Sequence, residues 1–136
     1  MNENETNEIK PYLQDPSVQA LAYLGDSVLE LAVRESLVKL GLCDSGSLNA
    51  AALRYVKATA QSEALNNILP LLDEYEENVY HRGRNSPHIK KAPQSATLAE
   101  YRRASGFETL FGKLRLDGKY DRIKELFEAA YPDLKV

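Results

Sequence analysis

Between Val18 and Leu40 apolar residues return every three or four positions, at Leu21, Ala22, Gly25, Val28, Leu29, Ala32, Val33 and Leu37. That is the period of an α-helix, and a stripe this broad belongs to a helix at the centre of a core. Asp15-Pro16-Ser17 reads as its start, with Asp15 as the cap and Pro16 in the first turn, where a missing N–H costs nothing. Gly41 ends it, with Lys39 in the last turn. One residue disturbs the stripe. In "AYLGDSVLEL" Asp26 follows Gly25 in a run that is otherwise ready for burial. A buried carboxylate without a partner is costly or takes up a proton, so Asp26 is expected to be paired, capped or to hold a metal. An aspartate satisfied by an arginine or a helix N-terminus across the core is the plain alternative. Gly25 removes a side chain and lets a second backbone come close.

The rest of the chain is helical by the same criterion. A second helix is predicted from about Ser47, with Leu48, Ala51, Ala52, Tyr55, Val56 and Thr59 inside, running on through "QSEALNNIL" to Pro70. "LLDEYEENVYHRG" reads as an acidic third helix ending near Gly83. "RNSPHIKKAPQSAT" has two prolines and no period, and is the one long loop. Ser95 or Thr97 caps a fourth major helix carrying Leu98, Tyr101, Ala104, Phe107, Leu110, Phe111 and Leu114. Asp117-Gly118 turns the chain, and Tyr120 to Ala130 forms the last helix. No segment sustains a period of two, and no repeat is found. The fold class is all-α: one domain of five to seven helices over residues 15–136, behind a flexible tail at 1–14.

That tail, "MNENETNEIK" onward, is polar and acidic and has no secretory pattern. Apolar runs are interrupted by Asp26, Glu30 and Arg34, so no membrane span is expected. Cys43 stands alone, which excludes an internal disulfide and fits a reducing cytoplasm. The net charge of −3 argues against a nucleic-acid partner, but its distribution argues for one. From His81 to Arg103, six cations face Glu100 alone; this local +5 leaves −8 on the remainder of a chain of net −3.

Two stretches carry a family resemblance. "LGDSVLE", Leu24 to Glu30, resembles the signature of the ribonuclease III catalytic domain. "FETLFGKLRLDG", Phe107 to Gly118, resembles that family's later helix, in the right order and at the right separation. The short length, with no double-stranded-RNA-binding segment before Val136, and "RGRN" at Arg82 to Asn85 are similar to the Mini-ribonuclease III branch, as is "EYRRASGFETLFG". The resemblance runs from about Val18 to Ala130.

It implies that Asp26 and Glu108 are the catalytic, metal-binding carboxylates, brought together by two crossing helices around Mg²⁺, with Mn²⁺ as a substitute. A hard cation that keeps several waters needs only one or two protein carboxylates. Asp26 would then lie inside, its charge neutralised by the metal. The chain departs from the full-length family at three carboxylate positions, which here read Gln19, Ala22 and Ser105. Ser105 and Glu30 are candidates to support the site; for Glu30 an i,i+4 pair with Arg34 is the preferred reading.

Arg82, Arg84, Asn85, Lys90, Lys91, Arg102 and Arg103 are candidate RNA contacts, with His88 beside them. His81 and His88 show no metal-ligand spacing, and Tyr23, Tyr55 and Tyr101 fall on apolar stripes and read as core. The expected activity is metal-dependent hydrolysis of double-stranded RNA to 5′-phosphate ends, on precursor large-subunit (23S-type) ribosomal RNA. A homodimer would provide one site for each strand. The alternatives are a catalytically silent RNA-binding ribosome assembly factor and an all-α protein-interaction module whose basic loop is incidental.

Overall fold

The helical stripe beginning at Val18 forms α1 (Val18–Lys39) in the computed structural model, which describes residues 12–136. Most of the tail expected at 1–14 therefore lies outside the described residues. The cap of α1 is Ser17 rather than Asp15: its hydroxyl accepts from the Ala20 N–H at 3.1 Å, as a side chain three residues upstream must. Gly41 takes φ +93° just past the end of the helix, a left-handed conformation that costs glycine little.

Five more helices follow among the described residues: α2 (Ser45–Val56), α3 (Ala58–Leu65), α4 (Glu74–Arg84), α5 (Leu98–Leu116) and α6 (Tyr120–Ala130), with a 3-10 turn at Leu69–Leu71. The single helix predicted from Ser47 to Pro70 is corrected to two. Lys57, at ψ 152°, is extended and interrupts the run. The break lets α2 lie on α1 while α3 turns onto α5. Thr97, not Ser95, caps α5; its hydroxyl and the Glu100 side chain exchange hydrogen bonds with each other's main chain. Asp73 and Glu76 do the same at the start of α4. Arg122 of α6 then pairs with the buried Glu76 at 2.8 Å and donates to the Leu71 carbonyl, which holds Glu76 below the usual carboxylate range.

The core lies between α1, α5 and α6, built from Leu29, Val33, Phe107, Leu110, Phe111, Leu126 and Phe127. Behind it the C-terminal segment is fastened down. The Tyr131 hydroxyl donates to the Tyr55 carbonyl at 2.8 Å, and the Tyr55 hydroxyl to Asp133 at 2.6 Å.

What positions the site is the α1–α5 crossing. A Cβ on Gly25 would stand 1.7 Å from the Glu108 carbonyl oxygen, and one on Gly112 would stand 1.9 Å from that of Leu21. The two helices thus touch backbone to backbone. Only glycine permits this, and the close approach expected at Gly25 is realised.

Candidate active site

The crossing puts Asp26, one residue past Gly25, and Glu108, one turn before Gly112, on the walls of one cleft of about 650 Å³. Asp26 is exposed on the rim, so its burial, expected from its place in the stripe, is corrected: position 26 looks away from the core and into the cleft. Glu108 is the sheltered member. Its carboxyl is pushed up to about 9, first by burial, then by a hydrogen bond and charge from Asp26. Two carboxylates this close share either a proton or a cation. Among the described residues no cluster of three or more His, Cys, Asp or Glu is arranged for a metal. A pair of oxygen donors in an open, wet cleft suits a hard divalent cation that retains water, and does not suit a fully protein-ligated one.

The three positions at which the chain lacks the family's further carboxylates line this same cleft: Gln19 and Ala22 on α1, Ser105 on α5. The Ser105 carbonyl accepts from the Thr109 hydroxyl at 2.7 Å. Glu30 is paired with Arg34 at 2.8 Å, one turn farther along α1, and does not line the cleft.

The opposite wall is the loop between α4 and α5, which brings Ser86, His88, Ile89, Lys90 and Lys91 to the carboxylates. Lys90, Lys91, Arg82 and Asn85 are exposed. Arg82 and Asn85 lie on a neighbouring shelf with Val18, Asn78 and His81. Arg84 is half-buried over the Tyr80 ring and donates to Asn85.

Arg102 and Arg103, also expected at phosphate, are engaged within the protein instead. Arg102 donates to the Arg84, Ser86 and Ile89 carbonyls. Arg103 donates to the Ser62 hydroxyl and carbonyl and to Asn66, fastening α5 to α3.

Two tyrosines read as core are corrected to cleft residues. Tyr23 is 82 % exposed and Tyr101 is 37 % exposed, and both line the site. Their helical spacing was the available signal. Tyr23 lies three residues before Asp26, and Tyr101 seven before Glu108, so each shares its carboxylate's face.

The family model described as "Ribonuclease III domain" matches residues 19–119. The chain is 46 % identical over 110 residues to a Mini-ribonuclease 3 of Symbiobacterium thermophilum, covering 81 % of this chain and 84 % of that protein. It is 42 % identical over 121 residues to one of Brevibacillus brevis, covering 89 % and 88 %. A crystal structure of a Fusobacterium nucleatum protein superposes with TM-score 0.76 at 32 % identity, covering 85 % of this chain and 92 % of that one. With the signature aspartate and the second-motif glutamate facing each other across one cleft, the chain belongs to the ribonuclease III domain family, a family of endoribonucleases, in its Mini-ribonuclease 3 branch.

Proposed function

We propose that Asp26 and Glu108 hold Mg²⁺, or Mn²⁺ in its place, and cut double-stranded RNA to 5′-phosphate and 3′-hydroxyl ends. The observation that carries this is the carboxylate pair facing a loop bearing Lys90 and Lys91 across a single cleft. The metal, when bound, supplies an activated water and charge for the phosphate under attack. This chain's own groups do the rest. Glu108, sheltered and close to Asp26, holds a proton that a bound cation would displace to solvent. Lys90, Lys91, Arg82 and Arg84 draw the phosphate backbone in, and Asn85 offers an amide to it. A duplex would meet this wall with its wide, shallow minor groove, where shape and 2′-hydroxyls rather than sequence are read.

The substrate we assign is precursor large-subunit (23S-type) ribosomal RNA, in the cytoplasm; the kinship with the Mini-ribonuclease 3 proteins supports it. One cleft cuts one strand, so the working unit is a homodimer. In support, α1 leaves Leu31 and Val38 58 % and 61 % exposed, beside a groove of about 330 Å³ lined by Leu24, Val28, Tyr120 and Ile123. Among the described residues no helix is long and apolar enough to cross a membrane.

The test compares wild type with Asp26→Asn and Glu108→Gln on a labelled RNA duplex, with Mg²⁺ and with chelator. Wild type should cut only with metal. Each variant should bind the duplex and lose cleavage by about three orders of magnitude. A specific observation favours a second reading: Gln19, Ala22 and Ser105 leave the cleft with two carboxylates. Wild type that binds the duplex and never cuts it would replace the nuclease with a silent RNA-binding assembly factor.

A further inference from the structure

The turn that forms the basic wall of the cleft is wound around a single guanidinium. Arg102 Nη1 donates to the carbonyls of Arg84 and Ser86, both at 3.3 Å, and Nη2 donates to the carbonyl of Ile89 at 2.7 Å. The turn closes on itself as well: Ser86 N–H donates to the Gly83 carbonyl, Ile89 N–H to the Ser86 carbonyl, and Ser86 is buried. The Arg84 carbonyl belongs to the last turn of α4, where main-chain acceptors have no helical donor and a cation is favourable. The next two residues after Ile89 are Lys90 and Lys91. Arg102 itself sits on α5 one turn before Ser105, which lines the cleft with Glu108.

We propose that Arg102 is a positioning residue: it pins the Arg84–Ile89 turn to the helix that carries Glu108, and thereby sets Lys90 and Lys91 against the two carboxylates. The inference rests on the nuclease reading above and names the residue that sets the register of its basic wall. The chemistry requires arginine. A planar fork with donors in fixed directions reaches three carbonyls at once, whereas an ammonium on a flexible stem presents one compact point of charge. Without the pin the lysines keep their charge, but their ordering must be supplied when RNA binds.

The experiment compares Arg102→Lys, which keeps the charge, with Arg102→Met, which does not. Three readouts are taken: duplex cleavage kinetics, trypsin cleavage after Lys90 and Lys91, and Tm. A pin predicts that the two variants behave alike. KM should rise about tenfold, the cost of re-ordering two long side chains, with kcat falling less than about twofold. Trypsin should cut the loop faster in both. Arg103→Lys, which loosens α5 from α3 instead, should lower Tm and leave the loop resistant to trypsin. If Arg102→Lys keeps the wild-type KM while Arg102→Met loses it, charge alone matters, Arg102 acts on phosphate, and the pin is wrong.

A second measurement needs no variant. The wild-type amides of Ser86 and Ile89 should resist hydrogen exchange longer than that of Ala92. Uniformly fast exchange across the loop overturns the proposal. Wild type that neither binds nor cuts RNA would sink the nuclease reading instead, while trypsin and hydrogen exchange would still report on the pin.

Discussion

Two influences on Glu108 push the same way. The helix crossing shelters it from water, and Asp26 across the cleft adds negative charge, so its carboxyl is pushed up to about 9. Without metal, the folded protein keeps a proton on Glu108 that the unfolded chain gives up above its ordinary value of about 4.5. The sign follows: this contribution to stability is complete below about 4.5 and is lost as the pH rises toward about 9. A cation that replaces the proton removes the penalty. The Tm of metal-free wild type, measured relative to Glu108→Gln, should therefore fall across that window, and the gain in Tm on adding Mg²⁺ should grow across it. A Mg²⁺ gain that stays flat with pH would remove Glu108 from the metal site. Arg102 shows the same scale from the other side, as a charged residue whose position in sequence suggested phosphate while its geometry directs it to main-chain carbonyls.

At the scale of elements, the crossing of α1 and α5 sets the distance between the carboxylates, and Gly25 and Gly112 set the crossing. Gly25→Ala would drive a methyl group into the Glu108 carbonyl. Neither partner is a flexible side chain, so the helices must part, at about 3 kcal/mol or more. A drop in Tm, with cleavage lost even in the molecules that remain folded, is the expected result. A variant of wild-type stability would mean that the helices slide past one another more easily than the contact suggests.

Much of this level was legible in the sequence. The span of α6 and the end of α1 at Gly41 follow from period and caps, and the meeting of Asp26 with Glu108 follows from the family's two motifs. The interruption at Lys57 was not legible, because no proline or glycine marks it; the demand comes from α5, which α3 must reach. The exposure of Asp26, Tyr23 and Tyr101 was hidden because a broad apolar stripe does not say where one flank opens into a cleft. The partners of Arg102 were hidden because a main-chain carbonyl has no letter in a sequence.

At the scale of the whole molecule, the outward side of α1 is the unfinished surface. Leu24, Leu31 and Val38 recur every seven residues along it and lie clear of the core, while Tyr55 on α2 is committed within the chain to Asp133. In the proposed dimer Leu31→Glu should yield a monomer by light scattering, with a Tm close to that of the wild-type subunit and RNA nicked on one strand rather than cut through both. A dimer of unchanged mass would place the interface elsewhere.

The glycine crossing also decides how such a site fails. Both carboxylates stand on long helices gripped at the middle of the domain, and neither stands on a flap, a hinge or a loop that can melt ahead of the rest. A fluctuation that separates them must part α1 from α5, which is nearly the same event as unfolding. The proposed catalytic pair therefore has no half-broken state to occupy, whereas the cationic wall, held by one guanidinium, does. In this architecture the chemistry is all-or-none, and only the grip on RNA is left free to vary by degrees.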